Sequence, residues 1–247
     1  MRKLYILAIA ALSALGAFAQ PKAGTISVIP KLGLNLSNLT NQDILYSSTN
    51  PEYQPTTIKS KFREGIVFGA DVQYQLTDRF ALSLGVLYSK EGCRYSDISD
   101  SYKQNNIRYV SLTADQHIAV DYLNIPLVAH FYVADNLALN AGVQLGIALS
   151  AHHKETLTSF KEYDDETIEY DKNQEGIELN HYKADYDLSK FMKNTTVSIP
   201  VGVSYEYSNI VIDARYNIPV TKAGKAETYS NTKNKTFQFT VGYKFNL

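Results

Sequence analysis

From Phe237 to Leu247 the chain places an apolar side chain at every odd position and a polar or small one at every even position: Phe-Gln-Phe-Thr-Val-Gly-Tyr-Lys-Phe-Asn-Leu. Period-two alternation of this kind describes a strand with one oily and one wet face. No further chain follows to cover the oily face, so lipid is the expected neighbour, as it is for membrane-spanning strands. The same alternation recurs seven more times. Ile26, Val28, Leu32, Leu34 and Leu36 mark the first segment; Phe62, Ile66, Phe68, Ala70, Val72 and Tyr74 the second; Phe80, Leu82, Leu84, Val86 and Tyr88 the third. Leu123, Ile125, Leu127, Ala129 and Phe131 mark the fourth, and the odd positions from Leu137 to Leu149 the fifth. The sixth carries Val197, Ile199, Val201, Val203, Tyr205 and Tyr207, and the seventh Ile210, Ile212, Ala214, Tyr216 and Ile218. The reading is therefore all-β: an eight-stranded antiparallel transmembrane barrel.

Connection lengths reinforce it. Turns of a few residues follow the second, fourth and sixth segments, whereas long polar stretches follow the others: Ser37 to Lys61, Gly92 to Gln116, Ala151 to Lys193 and Pro219 to Lys235. Short periplasmic turns and long outer loops are the habit of outer-membrane barrels. Tyr74, Phe80, Phe131, Tyr205, Tyr207, Tyr243 and Phe245 then fall near the short-turn rim, and Phe62, Tyr88, Tyr216 and Phe237 near the other, which predicts two interfacial belts. Pro126 and Pro200 lack a ladder donor and are expected at local bulges.

The even-numbered and other polar positions define the expected lumen: Lys31, Asn35, Arg63, Asp71, Gln73, Asn124, His130, Asn140, Gln144, Glu206, Asp213, Arg215, Asn217, Gln238 and Lys244. Gly33, Gly65, Gly69, Gly85, Gly142, Gly146, Gly202 and Gly242 share that face and leave room for the long side chains. Eight strands enclose a space that side chains can fill, so a polar plug is expected ahead of a narrow solute pore.

Arg2 and Lys3 precede an apolar run from Leu4 to Phe18 that closes on Ala17-Phe18-Ala19, a signal-peptide layout giving residues 1–19 as signal and 20–247 as barrel domain. The one cysteine, Cys93, excludes a disulfide framework and is expected as an unpaired thiol close to a loop. A formal charge of −1 with 20% charged residues offers no basic surface for nucleic acid.

Candidate chemistry is thin. Asp171-x-Asn173-x-Glu175-Gly176 has the opening of a calcium loop, but Tyr182 stands where the bidentate glutamate belongs, so a solvated acidic loop is the expectation. His152 and His153 are adjacent and point to opposite sides of an extended chain, a poor chelate even with His181 later in the same loop. No spacing marks a catalytic triad, and no phosphate-cradling glycine run precedes a helix. No catalytic, cofactor or metal residue is assigned, and no enzyme activity is expected; a small-solute pore and a rim-located envelope enzyme are the alternatives.

Several stretches together resemble the PorT-like outer-membrane β-barrel proteins of the Bacteroidetes type. They are Lys31-Leu-Gly33-Leu-Asn35-Leu-Ser37, Gly65-Ile-Val-Phe-Gly69-Ala-Asp71, Leu84-Gly-Val-Leu-Tyr88-Ser-Lys90-Glu-Gly92, Tyr122-Leu-Asn-Ile-Pro126-Leu, Asn140-Ala-Gly142-Val-Gln-Leu-Gly146 and Val241-Gly-Tyr-Lys-Phe245. The resemblance implies an outer-membrane location and a barrel in which a proline in the fourth strand is ordinary. The expectation for the whole chain is a monomer among outer-membrane lipids with a structural or interaction role, presenting its surface loops to secretion-machinery components, neighbouring envelope proteins or extracellular ligands. The resemblance transfers no functional residue, because fold does not carry function with it.

Overall fold

A computed structural model of the chain describes residues 22–48, 54–225 and 231–247; the segment read as a signal lies outside them. Eight strands form the wall: β1 (Ile26–Leu39), β2 (Lys61–Thr77), β3 (Phe80–Arg94), β4 (Ile107–Ala134), β5 (Leu137–Glu162), β6 (Thr195–Tyr207), β7 (Ile210–Pro219) and β8 (Asn234–Tyr243). Each pairs antiparallel with its sequence neighbours, and β8 closes on β1. Beyond Lys244 the chain resumes the ladder, with Phe245 and Asn246 opposite Val28 and Ser27.

Closure can be followed residue by residue. Ile26 pairs with Tyr74, which pairs with Leu82, and the path continues through Ala129, Ala141, Val201, Tyr216 and Phe237. Phe237 then pairs with Leu36, ten residues along β1 from the start. Ten is even, so the circuit returns on the same face: every residue on it is an apolar side chain directed outward, and no strand must turn its oily side inward. For eight strands that stagger gives a tilt of about 40° and a backbone radius of about 8 Å, a bore that side chains can fill.

The tight ends use local chemistry. Ser208 and Asn209 both take positive φ (47° and 71°), the primed turn whose twist suits a two-residue hairpin. Around the ring the apolar face is exposed, with Leu32 at 70% and Leu34 at 61% relative accessibility, and Ile66, Phe68, Leu84, Val86, Phe239 and Val241 continuing the band. A water-facing surface of this extent would be an association hazard; around a barrel it is the surface a bilayer covers. Aromatic rings gather at both ends of the band. Phe80 pairs with Phe131, and Tyr243 lies 4.7 Å from Phe245, at the short-turn end; Phe237 lies 4.5 Å from Tyr216 and 5.8 Å from Phe62 at the other.

Pro126 and Pro200 make no bulge. On either side of Pro126 the β3–β4 register is unchanged, with Leu84 opposite Leu127 and Leu87 opposite Asn124, and the β5–β6 register likewise runs through Pro200. Each proline leaves a gap in one ladder while its other neighbour still pairs with it, at Gln144 and Asn217. The irregularities lie elsewhere, between Phe62 and Val67, Gln75 and Thr77, Ala114 and His117, Asp121 and Tyr122, and Tyr132 and Ala134.

The lumen is a solid polar core. Lys31 is ion-paired with Asp71; Arg215 reaches Asp213 at 2.7 Å and Asp71 at 3.6 Å; the Asn140 amide donates to Asp213 at 3.0 Å. Nearer the short turns, Lys244 pairs with Glu206 at 2.9 Å, and the Tyr132 hydroxyl donates to Glu206 at 2.6 Å while accepting from Gln73 at 3.0 Å. Gly85 sits beneath the Asp71 carboxylate and the Pro126 ring, where any Cβ would collide with both. That contact, rather than backbone freedom, is what glycine supplies there.

Two long connections differ from the sequence reading. The apolar pattern predicts loops over Gly92 to Gln116 and Ala151 to Lys193, but β4 begins at Ile107 and β5 runs to Glu162, 28 and 26 residues against the ~9–11 that a spanning strand needs. Ile98–Gln104 pairs with the start of β4, and Ile168–Tyr170 and Tyr182–Asp187 pair with the end of β5. The result is a sheet standing beyond the outer belt, with roughly 45 Å of extended chain between Asp121 and Ile107. Water rather than lipid surrounds it, and only scattered positions such as Val110, Thr158 and Ala184 are buried, so no apolar alternation marks it.

Removing the Asp71 carboxylate strands Lys31 and leaves Arg215 with Asp213 alone, and unpairing a buried ion pair costs about 3–5 kcal/mol. Urea titration of refolded Asp71→Ala should show a loss of that size, with Val72→Ala, on the outward face of the same strand, losing far less. Equal losses at the two positions would contradict a lumen held by this network.

Candidate extracellular vestibule

Above the polar network the barrel mouth is stopped by apolar side chains. Leu39, Cys93, Tyr95, Ile118, Val120, Tyr122 and Ala151 from the wall meet Leu188, Met192 and Ala223 from the outer connections. Cys93 is thus corrected from a loop-proximal thiol to a buried member of this stopper; its sulfur lies 3.5 Å from the Tyr95 hydroxyl, which donates to the Gln42 carbonyl at 2.8 Å. Parity explains the placement, because β3 runs on to Arg94 and Cys93, two residues past Glu91, takes the same inward side.

On the outer side of the stopper lies an open cleft of about 700 Å³. Arg63, Arg94, Lys154 and Lys183 face Glu64, Asp97, Asp115, Glu155 and Asp185 across it, so the cleft is densely charged but of mixed sign. Its groups are tied to one another. The Gln116 amide donates to Glu155 at 3.0 Å and contacts His153 at 3.2 Å; the Asp115 amide donates to Asp97 at 3.1 Å; His117 contacts the Asp115 carbonyl at 2.6 Å. Such a surface suits a polar ligand carrying both charges.

The histidines separate as the extended chain dictates. A bulge between Asp121 and Tyr122 admits Leu149 and reverses the parity of β5. His153 therefore turns inward against Gln116 and Glu155, while His152 turns outward to Asp185, 2.7 Å away. Asp185 also takes Lys154 at 3.0 Å, and this hydrogen bond, with that of His152, holds its carboxyl below the usual range. Burial pushes the His153 imidazole below the ordinary histidine value; Glu155 opposes that shift and His117 adds to it.

The calcium-like segment closes on itself. Asp171 accepts from the Ser159 hydroxyl at 2.6 Å, and the Asn173 side-chain oxygen accepts the backbone amides of Glu175 and Ile177 at 3.0 and 2.9 Å. Among the described residues no group of three or more His, Cys, Asp or Glu side chains is arranged to hold a metal. His181 stands apart, its ring near Asn180.

One constellation has the outline of a nucleophile relay: Ser83 lies 2.8 Å from His130 Nε2, and His130 Nδ1 lies 2.8 Å from Asn140. All three are at most 5% exposed in the lumen, where no substrate reaches them, and their hydrogen bonds serve the core. Of the expected lumen residues, Arg63 and Glu206 are only partly buried, at the two ends of the bore. Among the buried polar residues outside the expected lumen set is one carboxylate, Glu91, 3% exposed and hydrogen-bonded to Ser89, Asn124, Asn234 and Thr236. Its parity with Ala81, Ser83 and Ser89 would have found it.

The model of a family described as outer membrane protein beta-barrel domain matches residues 18–223. No curated protein matches the chain. Among solved structures, Ail, the attachment invasion locus protein of Yersinia pestis, in complex with the heparin analogue sucrose octasulfate, is 12% identical with a TM-score of 0.40, over 90% of this chain and 99% of that one. Neisserial surface protein A is 14% identical with a TM-score of 0.38, over 89% and 97%; OprG from Pseudomonas aeruginosa is 10% identical with a TM-score of 0.35, over 92% and 99%.

The His153 shift sets a pH dependence. A folded-state value below the unfolded one means that its contribution to stability is intact above about pH 6.5, the ordinary histidine range, and is lost as pH falls through the folded value. Hydrogen-exchange protection of Lys154–Leu157 and Tyr182–Asp187 should drop between pH 7.5 and 5 by more than solvent chemistry accounts for. His153→Asn should flatten that pH response; an unchanged response would contradict the assignment.

Proposed function

The chain belongs to the outer membrane protein beta-barrel domain family, and from that premise we propose that it is a non-enzymatic surface-presenting barrel whose working part is the projecting sheet with its charged vestibule. The observation that carries this reading is the contrast between the two ends of the molecule. The lumen is filled by ion pairs and stopped by an apolar cluster, whereas β4 and β5 continue far past the membrane and recruit three further strands. A barrel built to conduct would keep its bore open; this one builds a rigid platform outside.

The platform is charged for recognition. Between Lys161 and His181 the chain holds eight carboxylates against two lysines, Lys161 and Lys172, a strongly acidic tip that attracts basic surfaces over a Debye length. Its partner is another envelope or secretion-machinery protein, and the chain falls in the PorT-like branch of the family; the stretches from Lys31 to Ser37 and from Tyr122 to Leu127 support that placement. The protein acts as a monomer surrounded by outer-membrane lipid.

Replacing residues 163–181 by a short turn should leave a folded, heat-modifiable barrel in the outer membrane. In a deletion strain complemented with that shortened form, the secreted and envelope protein profile should resemble the deletion rather than the parent. Full restoration by the shortened form would remove the arm from the function, and steady conductance steps from the intact protein in a planar bilayer would replace this reading with a pore.

A further inference from the structure

Ion pairing in the lumen leaves one carboxylate over. Lys31 and Arg215 balance Asp71 and Asp213, and Lys244 balances Glu206. His130 donates from Nδ1 to Asn140 and meets Ser83 at Nε2, an arrangement that fits the neutral ring. Glu91 is left over. No lysine, arginine or histidine among the described residues lies within 4 Å of its carboxylate; Arg63 donates instead to its backbone carbonyl, at 3.3 Å. Four neutral donors converge on the two oxygens: Ser89 at 2.6 Å and Asn124 at 3.0 Å on one, Asn234 at 2.5 Å and Thr236 at 2.8 Å on the other. A set of donors only is what an ionised carboxylate accepts. One negative charge therefore stays in the upper lumen without a partner, and buried charges are seldom left so.

Beside it is a chamber of about 20 Å³, room for one water-sized particle, lined by Glu91, Tyr122, Gln144, Ser198, Asn217 and Asn234 among others. Asn217 is 3% exposed and neither its oxygen nor its nitrogen has a hydrogen-bond partner; the Asn234 side-chain oxygen and the Tyr122 hydroxyl are also unpartnered. Free amide oxygens next to an uncompensated carboxylate are the donor set of a hard cation.

We propose that this chamber holds one monovalent alkali cation, with sodium as the fitting size, coordinated by the Asn217 and Asn234 oxygens in the field of Glu91. The single positive charge matches the one buried carboxylate that has no cation within 4 Å among the described residues, whereas a divalent ion would exceed it. Tyr122 of the apolar stopper forms part of the chamber lining, and that cover slows exchange of the ion.

The test is to refold the full mature chain in detergent with sodium chloride or choline chloride at equal ionic strength and to follow loss of the heat-resistant barrel form. Sodium in about hundredfold excess over its Kd should raise the midpoint by roughly 5 °C or more relative to choline, and radioactive sodium should co-elute with the refolded protein on desalting. Glu91→Gln, which keeps the shape of the side chain, and Asn217→Ala should each abolish both effects. Equal midpoints for the wild-type protein in the two salts with no retained sodium would mean that the chamber holds water only and would overturn the proposal. The wild-type comparison decides even if a variant does not refold.

Discussion

Everything in this molecule depends on closing a hydrogen-bonded ring with no free edge. Hydrocarbon offers backbone groups no partners, so a spanning strand must find them on both sides, and an eight-stranded ring with a stagger of ten provides them. Closure also fixes the bore at about 8 Å in backbone radius, too narrow for an open channel once side chains are added. The ion pairs of the lumen are a consequence. Polar side chains forced inward by period two have only one another to bind: Lys31 and Asp71 meet from the adjacent strands β1 and β2, and Arg215 on β7 pairs with Asp213 of its own strand and reaches Asp71 across the lumen.

The outer end obeys a different constraint. Past Asp121 on β4 and Leu149 on β5 no lipid selects for apolar alternation, yet the two strands stay paired as far as Arg108 and Glu162. Pairing persists because the connections fold back as further strands, and Leu188, Met192 and Ala223 descend into the mouth to seal it. Stopper and platform are thus one construction: the segments that close the bore are those that anchor the projecting sheet.

Residues whose environment differs from one face to the other were legible in the sequence. Leu32, Leu34 and Leu36 against Lys31 and Asn35, or Ile212 and Ala214 against Asp213 and Arg215, carry the period-two signal because lipid lies on one side and the lumen on the other. Tyr186 and Asp185 carry none, since both are exposed to solvent and no lipid selects between them, and the projecting sheet reads as a loop for that reason. Cys93 and Glu91 escape the pattern for another reason: apolar alternation stops at Tyr88, although inward parity runs on to the end of β3 at Arg94. The prolines misled because a lost donor suggests a bulge, whereas Pro126 and Pro200 lose the donor and keep the register. Charge pairing and the chamber beside Glu91 depend on stagger, which no single strand reveals.

The most direct test exploits the absence of tryptophan from the chain. Single tryptophans placed at positions 32 to 36 of β1, in protein refolded into bilayers of brominated lipid, report contact with acyl chains through fluorescence quenching. The expected result is strong quenching at 32, 34 and 36 and weak quenching at 33 and 35. Uniform quenching along the strand, or none at any position, would contradict a barrel whose outward face is covered by lipid.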